Sequence, residues 1–95
     1  MNILIDVSNT LKECREIKSI SLGQLASKSG LSKSYLSKIE NGKRDPSITT
    51  LNNLCECLGI PISIFVLLAE EDTESELTMQ LKNIAREAIS SDALV

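Results

Sequence analysis

The sequence predicts an all-α fold made of five short helices and a C-terminal sixth helix. Apolar residues recur at helical spacing (i, i+3, i+4) along most of the chain. Serines that suit helix N-caps and glycines that suit helix ends separate these runs. The chain has 95 residues with one Tyr and one Phe, so it has room for a single small core built from Leu, Ile and Val. We expect helices 1–5 to form one domain in residues 1–69, and the sixth helix to follow in residues 70–95.

The first two helices are predicted at residues 7–18 and 22–29. Ser21 suits the N-cap of the second helix. Gly30 tolerates positive φ and therefore ends that helix at little cost. Each helix has an apolar stripe: Val7, Leu11, Cys14 and Ile17 in the first, and Leu22, Leu25 and Ala26 in the second.

The third helix is predicted from Lys33 to Asn41, with Ser32 as its N-cap. Leu36 and Ile39 face inward. The outer face is polar and cationic: Lys33, Ser34, Ser37 and Lys38. Two short helices joined by a glycine turn, the second with a cationic outer face, form a helix-turn-helix motif. The second helix of such a motif lies in the DNA major groove.

The charge distribution agrees with a DNA-facing motif, although the net charge of the chain is −3. Residues 1–69 carry +2 and residues 70–95 carry −5. Five cations and one acid fall within residues 28–44. The basic surface is therefore local to the motif, as a groove-docking surface requires.

Three short motifs follow one another at characteristic spacing: Leu25-Ala26, Ile39-Glu40-Asn41-Gly42 and Pro46-Ser47. With them, residues 21–46 resemble the Cro/C1-type (Xre) helix-turn-helix domain of phage repressors and small bacterial regulators. The similarity extends from about Val7 to Phe65. It implies a lambda-repressor-like domain of five helices whose partner is double-stranded DNA.

The resemblance also implies which residues contact DNA. Base contacts fall on Lys33, Ser34, Ser37 and Lys38; lysine suits guanine O6 and N7, and serine suits any base edge. The resemblance implies phosphate contacts for Asn41, Lys43 and Arg44. Ser21, Lys28 and Tyr35 are also assigned to the DNA backbone or its neighbourhood, where Tyr35 is placed to touch a thymine methyl or a phosphate. The alternatives are a solvated helix face for the lysines and, for Tyr35, a lid on the packing of helices 3 and 4.

Three further positions can be compared with the family pattern: Arg15 matches it, and Ser19 and Leu22 depart from it. An arginine at the position of Arg15 pairs in the family with the glutamate of the recognition helix, which implies an Arg15–Glu40 salt bridge that holds the fold. Ser19 stands where the family often has glycine, so we expect a strained or altered turn. Leu22 replaces a glutamine that grips a phosphate, so only backbone N–H groups remain for that contact.

Helices 4 and 5 are predicted at residues 48–58 and 61–69. Helix 4 is expected to bury Ile48, Leu51, Cys55 and Leu58. Helix 5 is apolar nearly all round, which implies a second surface that it covers. In this family the element commonly forms a two-fold dimer interface, so four residues are assigned both to the core and to a dimer contact: Ile64, Phe65, Leu67 and Leu68.

The C-terminal segment begins with the acidic residues 70–76 and continues as a last helix. Leu77, Leu81, Ile84 and Ala88 repeat with 4-3-4 spacing. This stripe must dock on its own domain, on a second subunit or on a different protein; Leu77 and Leu81 are assigned to the dimer interface. Residues 90–95 are expected to fray.

Other classes of site lack support in the sequence. Cys14, Cys55 and Cys57 occur without histidine or a four-ligand spacing, so no metal site and no cofactor are predicted. No paired carboxylates, phosphate loop or nucleophile with a base suggest an enzyme. No apolar run reaches the ~18 residues of a membrane span, and no signal peptide is evident, so a cytoplasmic protein is expected.

Two functions remain. The first is a homodimeric, sequence-specific transcriptional regulator that binds an inverted repeat as a repressor or autoregulator, of the kind that includes restriction–modification controller proteins. The alternative is an antitoxin or anti-regulator whose C-terminal helix binds a protein partner.

Overall fold

The computed structural model describes residues 5–71 and 75–91, and this part of the chain folds into six α-helices. The helices are α1 (Val7–Ile17), α2 (Leu22–Ser29), α3 (Lys33–Glu40), α4 (Ile48–Leu58), α5 (Ile62–Ala69) and α6 (Glu76–Ser90). The predicted all-α class and the order of the helices are confirmed, with bounds that differ by at most one residue for α1 to α5. Of the segment expected to fray, residues 92–95 lie outside the described residues.

Side-chain caps and left-handed glycines set the helix bounds. The side chains of Ser21, Ser32 and Ser47 each accept a hydrogen bond from a first-turn amide. Gly30 (φ 76°) and Gly59 (φ 69°) end α2 and α4 in the left-handed region, which glycine adopts without a Cβ clash. The short loops that result keep α1 to α5 in one compact unit.

The core lies where α1 crosses α3 and α5, and where α2 packs between α3 and α4. Its fully buried side chains include Phe65, Leu11, Leu25, Leu36, Ile39 and Leu54. Because α3 contributes Leu36 and Ile39 to this core, its opposite face is held outward at a fixed angle.

Ile48 was predicted to lie in the core, and this prediction was wrong: the side chain is 72% exposed. It is the first residue of α4, and helical side chains tilt toward the N-terminus. The side chain therefore extends over the preceding loop. Leu54 and Ile60 are buried and complete the apolar surface here.

The turn after α1 has the strain that the sequence predicted. Ser19 adopts φ 56°, the one positive φ of a non-glycine residue in the described chain. The amide of Ile20 donates to the carbonyl of Arg15 (3.0 Å), which closes the turn and requires this conformation.

α6 docks through a face that the 4-3-4 spacing did not indicate. Its buried residues are Lys82, Ala85 and Ile89, which pack toward α1 and α5. Leu77 (64%), Leu81 (42%) and Ile84 (63%) are exposed. The predicted stripe is thus not docked on its own domain.

No single helix among the described residues is long and apolar enough to cross a membrane. Together α4 and α5 reach that length and hydropathy, but they are bent by 105° relative to each other.

Candidate nucleic-acid interface

The outer face of α3 brings the predicted base-contacting residues together. Lys33, Ser34 and Lys38 are exposed, and Ser37 is half-buried. On the opposite side of the helix, Leu36 and Ile39 are fully buried. The two lysines and two serines therefore form one surface of donors and acceptors, which matches what base edges in a major groove present.

The start of α2 is closed by a capping box. Ser21 Oγ accepts from the amide of Gln24 (3.1 Å), and Gln24 Oε1 accepts from the amide of Ser21 (2.8 Å). The backbone amide and the Oγ of Ser21 are thus both engaged in the capping box. The amides of Leu22 and Gly23 are in the first turn of α2 and have no intrahelical acceptor, and Gly23 has no side chain to cover them.

Asn41 caps the C-terminal end of α3. Its Nδ2 donates to the carbonyl of Ser37 (2.8 Å) and to Ser37 Oγ (3.3 Å). The resemblance implied a contact of Asn41 with the DNA backbone, but its amide N–H groups are used for its own helix. Lys43 and Arg44 follow in the exposed loop, where the amide of Lys43 bonds to the carbonyl of Lys38 (2.8 Å).

Tyr35 organises this loop. Its half-buried ring packs against the core, and the Arg44 guanidinium lies 5.3 Å from the ring centroid. Cation–π stacking restricts where the Arg44 charge can lie. Tyr35 therefore lies at the edge of the cationic surface with its ring packed partly against the core. No periodic pattern in the sequence indicates this pair, because it joins a helix to a loop.

The ion pair implied between α1 and α3 is present. Arg15 Nε and Nη2 donate to Glu40 Oε2 (2.8 Å) and Oε1 (3.0 Å), and Arg15 Nη1 donates to the carbonyl of Ile20 (3.0 Å). Hydrogen bonding to Glu40 raises the pKa of the Arg15 guanidinium above its ordinary value. This bidentate pair fixes the end of α3 to α1 and to the turn that precedes α2.

A second link holds the turn between α2 and α3, and sequence reasoning missed it. Asn53 Nδ2 in α4 donates to the carbonyl of Ser29 (3.1 Å), one of the last carbonyls of α2. Cys57 Sγ donates to Asn53 Oδ1 (3.6 Å) and orients that amide. The sequence feature that could have indicated this contact is Asn53 itself, a polar residue on the inner side of α4.

The residues assigned to a dimer contact fall into two groups. Phe65 and Leu68 are buried in the core of their own chain, so they support α5 and offer no surface to a partner. Ile64 and Leu67 are half-buried, while Leu77 and Leu81 are exposed. The accessible apolar surface is therefore mostly on α6.

A cavity of about 320 Å³ lies apart from this surface, between the start of α1, the end of α5 and α6. Several charged groups around it are paired: Arg86 Nε lies 3.1 Å from Glu13 Oε1, and Asp6 caps α1. Among residues 5–71 and 75–91, no three His, Cys, Asp or Glu side chains come together as a metal site.

Comparisons with known proteins agree with this geometry. A family model described as helix-turn-helix matches residues 11–65, which run from within α1 to within α5. The chain is 36% identical over 89 residues to the HTH-type transcriptional regulator SinR of Bacillus licheniformis, covering 90% of this chain and 78% of that protein. It is 32% identical to the immunity repressor protein of Bacillus phage phi105, covering 93% and 68% of the two chains.

A solved structure has the same fold. The wild-type restriction-modification controller protein C.Esp1396I superposes with a TM-score of 0.63 and 25% sequence identity. The match covers 87% of this chain and 97% of the controller protein, so it includes the helix-turn-helix unit and much of the remaining chain.

Proposed function

The chain belongs to the Cro/C1-type helix-turn-helix family of DNA-binding transcriptional regulators, and we propose that it is a homodimeric repressor or autoregulator of an inverted-repeat operator. The outer face of α3 carries this proposal. Its two exposed lysines and two serines lie on a helix whose other side is locked into the core. A rigid helix with this face can enter a major groove without refolding. Such a regulator acts in the cytoplasm, where bacterial DNA is found.

Sequence is read by α3, and position on the duplex is set by the groups around it. Lys33 and Lys38 contact guanine edges, while Ser34 and Ser37 contact bases of either kind. Lys43 and Arg44 bind phosphates after α3, and the amides of Leu22 and Gly23 bind one before it. These contacts flank the recognition helix on both sides.

Two copies of the chain bind one operator. A two-fold dimer presents two α3 helices to half-sites about one helical turn (~34 Å) apart, so the operator is an inverted repeat. The exposed apolar residues of α6, with the half-buried Ile64 and Leu67 of α5, form the contact between copies. Binding over a promoter would exclude the polymerase.

Selection of ligands from a random duplex DNA pool tests this function, with the mass of the selected complex measured in solution. We expect an inverted repeat bound by two chains. The matched control is the double variant Lys33→Ala/Lys38→Ala, which keeps the fold and should select no sequence. A folded wild-type chain that enriches nothing, or that enriches the same DNA as the control, contradicts the proposal.

A second function is favoured by one observation. The apolar residues of α6 are exposed in the single chain, so the protein is an antitoxin or anti-regulator if they cover a different protein instead of a second copy. The mass of the isolated protein discriminates between the two. A monomer that becomes soluble in complex with a co-expressed partner favours the second function, and a homodimer favours the first.

A further inference from the structure

Arg44 is a loop cation whose position depends on a side-chain contact. Main-chain hydrogen bonds hold the loop after α3 as far as Lys43, whose amide donates to the carbonyl of Lys38 (2.8 Å). Among residues 5–71 and 75–91, no main-chain hydrogen bond involves Arg44. Its guanidinium lies 5.3 Å from the centroid of the Tyr35 ring. The ring therefore restricts a side chain that the main chain of the loop does not hold.

Tyr35 is a fixed support, because its main chain and its ring are both anchored. Its amide donates to Ser32 Oγ (3.0 Å), the N-cap of α3. The next residue, Leu36, is fully buried, and the half-buried Tyr35 ring packs against the core. The Arg44 charge is thereby tied to the helix that carries the proposed base contacts.

We infer that Tyr35 is a positioning residue for DNA binding: its ring holds the Arg44 guanidinium ready for a phosphate, and Tyr35 makes no DNA contact of its own. This rests on the proposed function, in which Arg44 binds a phosphate. A guanidinium that lies over a ring keeps its in-plane N–H groups free for an anion. Tyr35 and the phosphate therefore do not compete for Arg44.

The benefit comes from order that exists before DNA arrives. Immobilising a free, rotamer-rich side chain lowers affinity by a factor of about 2 to 10. Arg44, stacked on a fixed ring, has lost part of its freedom in the free protein. Lys43, by contrast, ends in a compact ammonium on a flexible stem that does not stack in this way.

A double-mutant cycle on the selected operator tests the role of Tyr35. Tyr35→Leu is measured in the wild-type chain and in the Arg44→Ala chain. We expect Tyr35→Leu to weaken binding about 2- to 10-fold in the wild type and to have no effect beside Arg44→Ala, because the ring acts only through Arg44. An equal loss in both backgrounds would show that Tyr35 acts on DNA or on the fold by itself, and would overturn the inference.

Two single variants separate the ring from the hydroxyl and from the core. Tyr35→Phe keeps the ring and should bind within about twofold of the wild type. A loss as large as that of Tyr35→Leu would assign the effect to the hydroxyl and overturn the inference. Arg44→Lys removes the stacking from the exposed loop without touching the core, so it should bind as weakly as Tyr35→Leu. Full affinity in Arg44→Lys would contradict a role for the stacking.

Salt dependence distinguishes the position of the charge from its presence. Arg44→Ala should flatten the slope of log K against log salt by about one unit, whereas Tyr35→Leu keeps the charge and should keep the slope. NMR of the free protein tests the contact without DNA. The Arg44 side-chain protons should show a ring-current shift that Tyr35→Phe retains and Tyr35→Leu abolishes. Unshifted protons in the wild type would show that the pair does not form.

The outcomes also separate the role of Tyr35 from the proposed function. A folded wild-type chain that binds no specific duplex would overturn both. Specific binding with an equal loss for Tyr35→Leu in both backgrounds would overturn only the role of Tyr35. An unchanged salt slope for Arg44→Ala would remove Arg44 from the interface, and the role of Tyr35 with it, while base recognition by α3 would stand.

Discussion

Lys38 and Lys43 carry the same charge at two places on the proposed DNA surface, one on the outer face of α3 and one in the loop that follows. Lys38→Ala should weaken specific binding by about 1–3 kcal/mol and relax the choice at one base position, because a base contact is lost. Lys43→Ala should weaken binding to all sequences and flatten the slope of log K against log salt by about one unit, because a phosphate contact is lost.

Titration of operator and nonspecific duplexes at several salt concentrations measures both effects. The two variants are controls for each other, since each removes one lysine. Equal losses on all sequences for Lys38→Ala would make Lys38 a phosphate contact. An unchanged salt slope for Lys43→Ala would remove Lys43 from the interface.

Ser19 adopts a left-handed backbone conformation that is unfavourable for a residue with a side chain. Its φ of 56° costs a non-glycine residue about 1–2 kcal/mol. We expect Ser19→Gly to raise the free energy of unfolding by about 0.5–1 kcal/mol, since glycine removes the strain but loses more entropy on folding. Urea unfolding measures the change.

The matched control for this change is Ser27→Gly, because Ser27 lies exposed within the helical part of α2. There glycine brings only its lower helix propensity, so the variant should be destabilised by about 0.5 kcal/mol. If both variants lost stability, Ser19 would not be strained.

At the scale of the helices, an ion pair ties the end of α3 to α1. The side chains of Arg15 and Glu40 retain 14% and 7% exposure, and Glu40→Ala leaves the Arg15 guanidinium with the Ile20 carbonyl as its hydrogen-bond partner. We expect a loss of about 3 kcal/mol in the free energy of unfolding. Thermal and urea unfolding measure it.

The pair between Glu13 and Arg86 provides a comparison, because its side chains retain 42% and 35% exposure. Glu13→Ala should cost about 1 kcal/mol or less, as exposed pairs do. A similar cost for both variants would mean that burial of the Arg15–Glu40 pair does not set its contribution.

Gly23 lies in the first turn of α2 without a structural need for glycine. An added Cβ would meet only Ser21 Oγ, at 4.0 Å, and the residue has no positive φ. Gly23→Ala should therefore stabilise the fold by about 0.5–1 kcal/mol. It should also weaken DNA binding, because the methyl group would stand between a phosphate and the exposed amides.

Calorimetry and DNA titration on one preparation measure the two effects of Gly23→Ala. Gly59→Ala is the control, because it should change stability without changing the DNA interface: Gly59 has φ 69° and takes no part in the proposed interface. It should lose stability while the folded fraction keeps its affinity for DNA. Full affinity in Gly23→Ala would exclude the start of α2 from the interface.

The helices were predictable because their signals are local. Ser21, Ser32 and Gly30 act within one turn of their own position, and the sequence shows such residues directly. The docking face of α6 was not predictable, because two apolar stripes overlap there and periodicity does not say which one a distant surface will cover. The aliphatic stem of Lys82 and the small side chain of Ala85 let α6 pack closely on α1 and α5. Which face of α6 docks therefore depends on the surface that these two helices offer.

The candidate site was predictable to a similar degree. The exposed face of α3 follows from its period and from the family resemblance. The partners of Tyr35 and Asn53 do not, because each contact joins elements that are separated along the chain. The side-chain amide of Asn41 donates within α3, and the DNA-backbone contact that the resemblance assigned to it stays a prediction.

At the scale of the whole molecule, the cysteines report on the integrity of the core. Burial raises the pKa of Cys14 to about 12, with the neighbouring Glu13 and Cys55 adding to the effect, and burial raises the pKa of Cys55 to about 11. At pH 8 the thiolate fractions are on the order of 10⁻⁴ and 10⁻³, so neither thiol should react until the domain opens. A colorimetric thiol reagent should count one reactive group, the half-buried Cys57, and three after addition of urea.

The same two thiols make stability depend on pH. In the unfolded chain their pKa is near 9.0, so above that pH the unfolded state releases protons that the folded state keeps. The stability that they contribute is therefore complete below about pH 9 and declines as the pH rises toward 11–12, by up to about 1.4 kcal/mol per unit for each thiol. Urea unfolding at pH 8, 9 and 10 measures the decline. A chain whose three thiols all react at pH 8 without urea would not have the core described above.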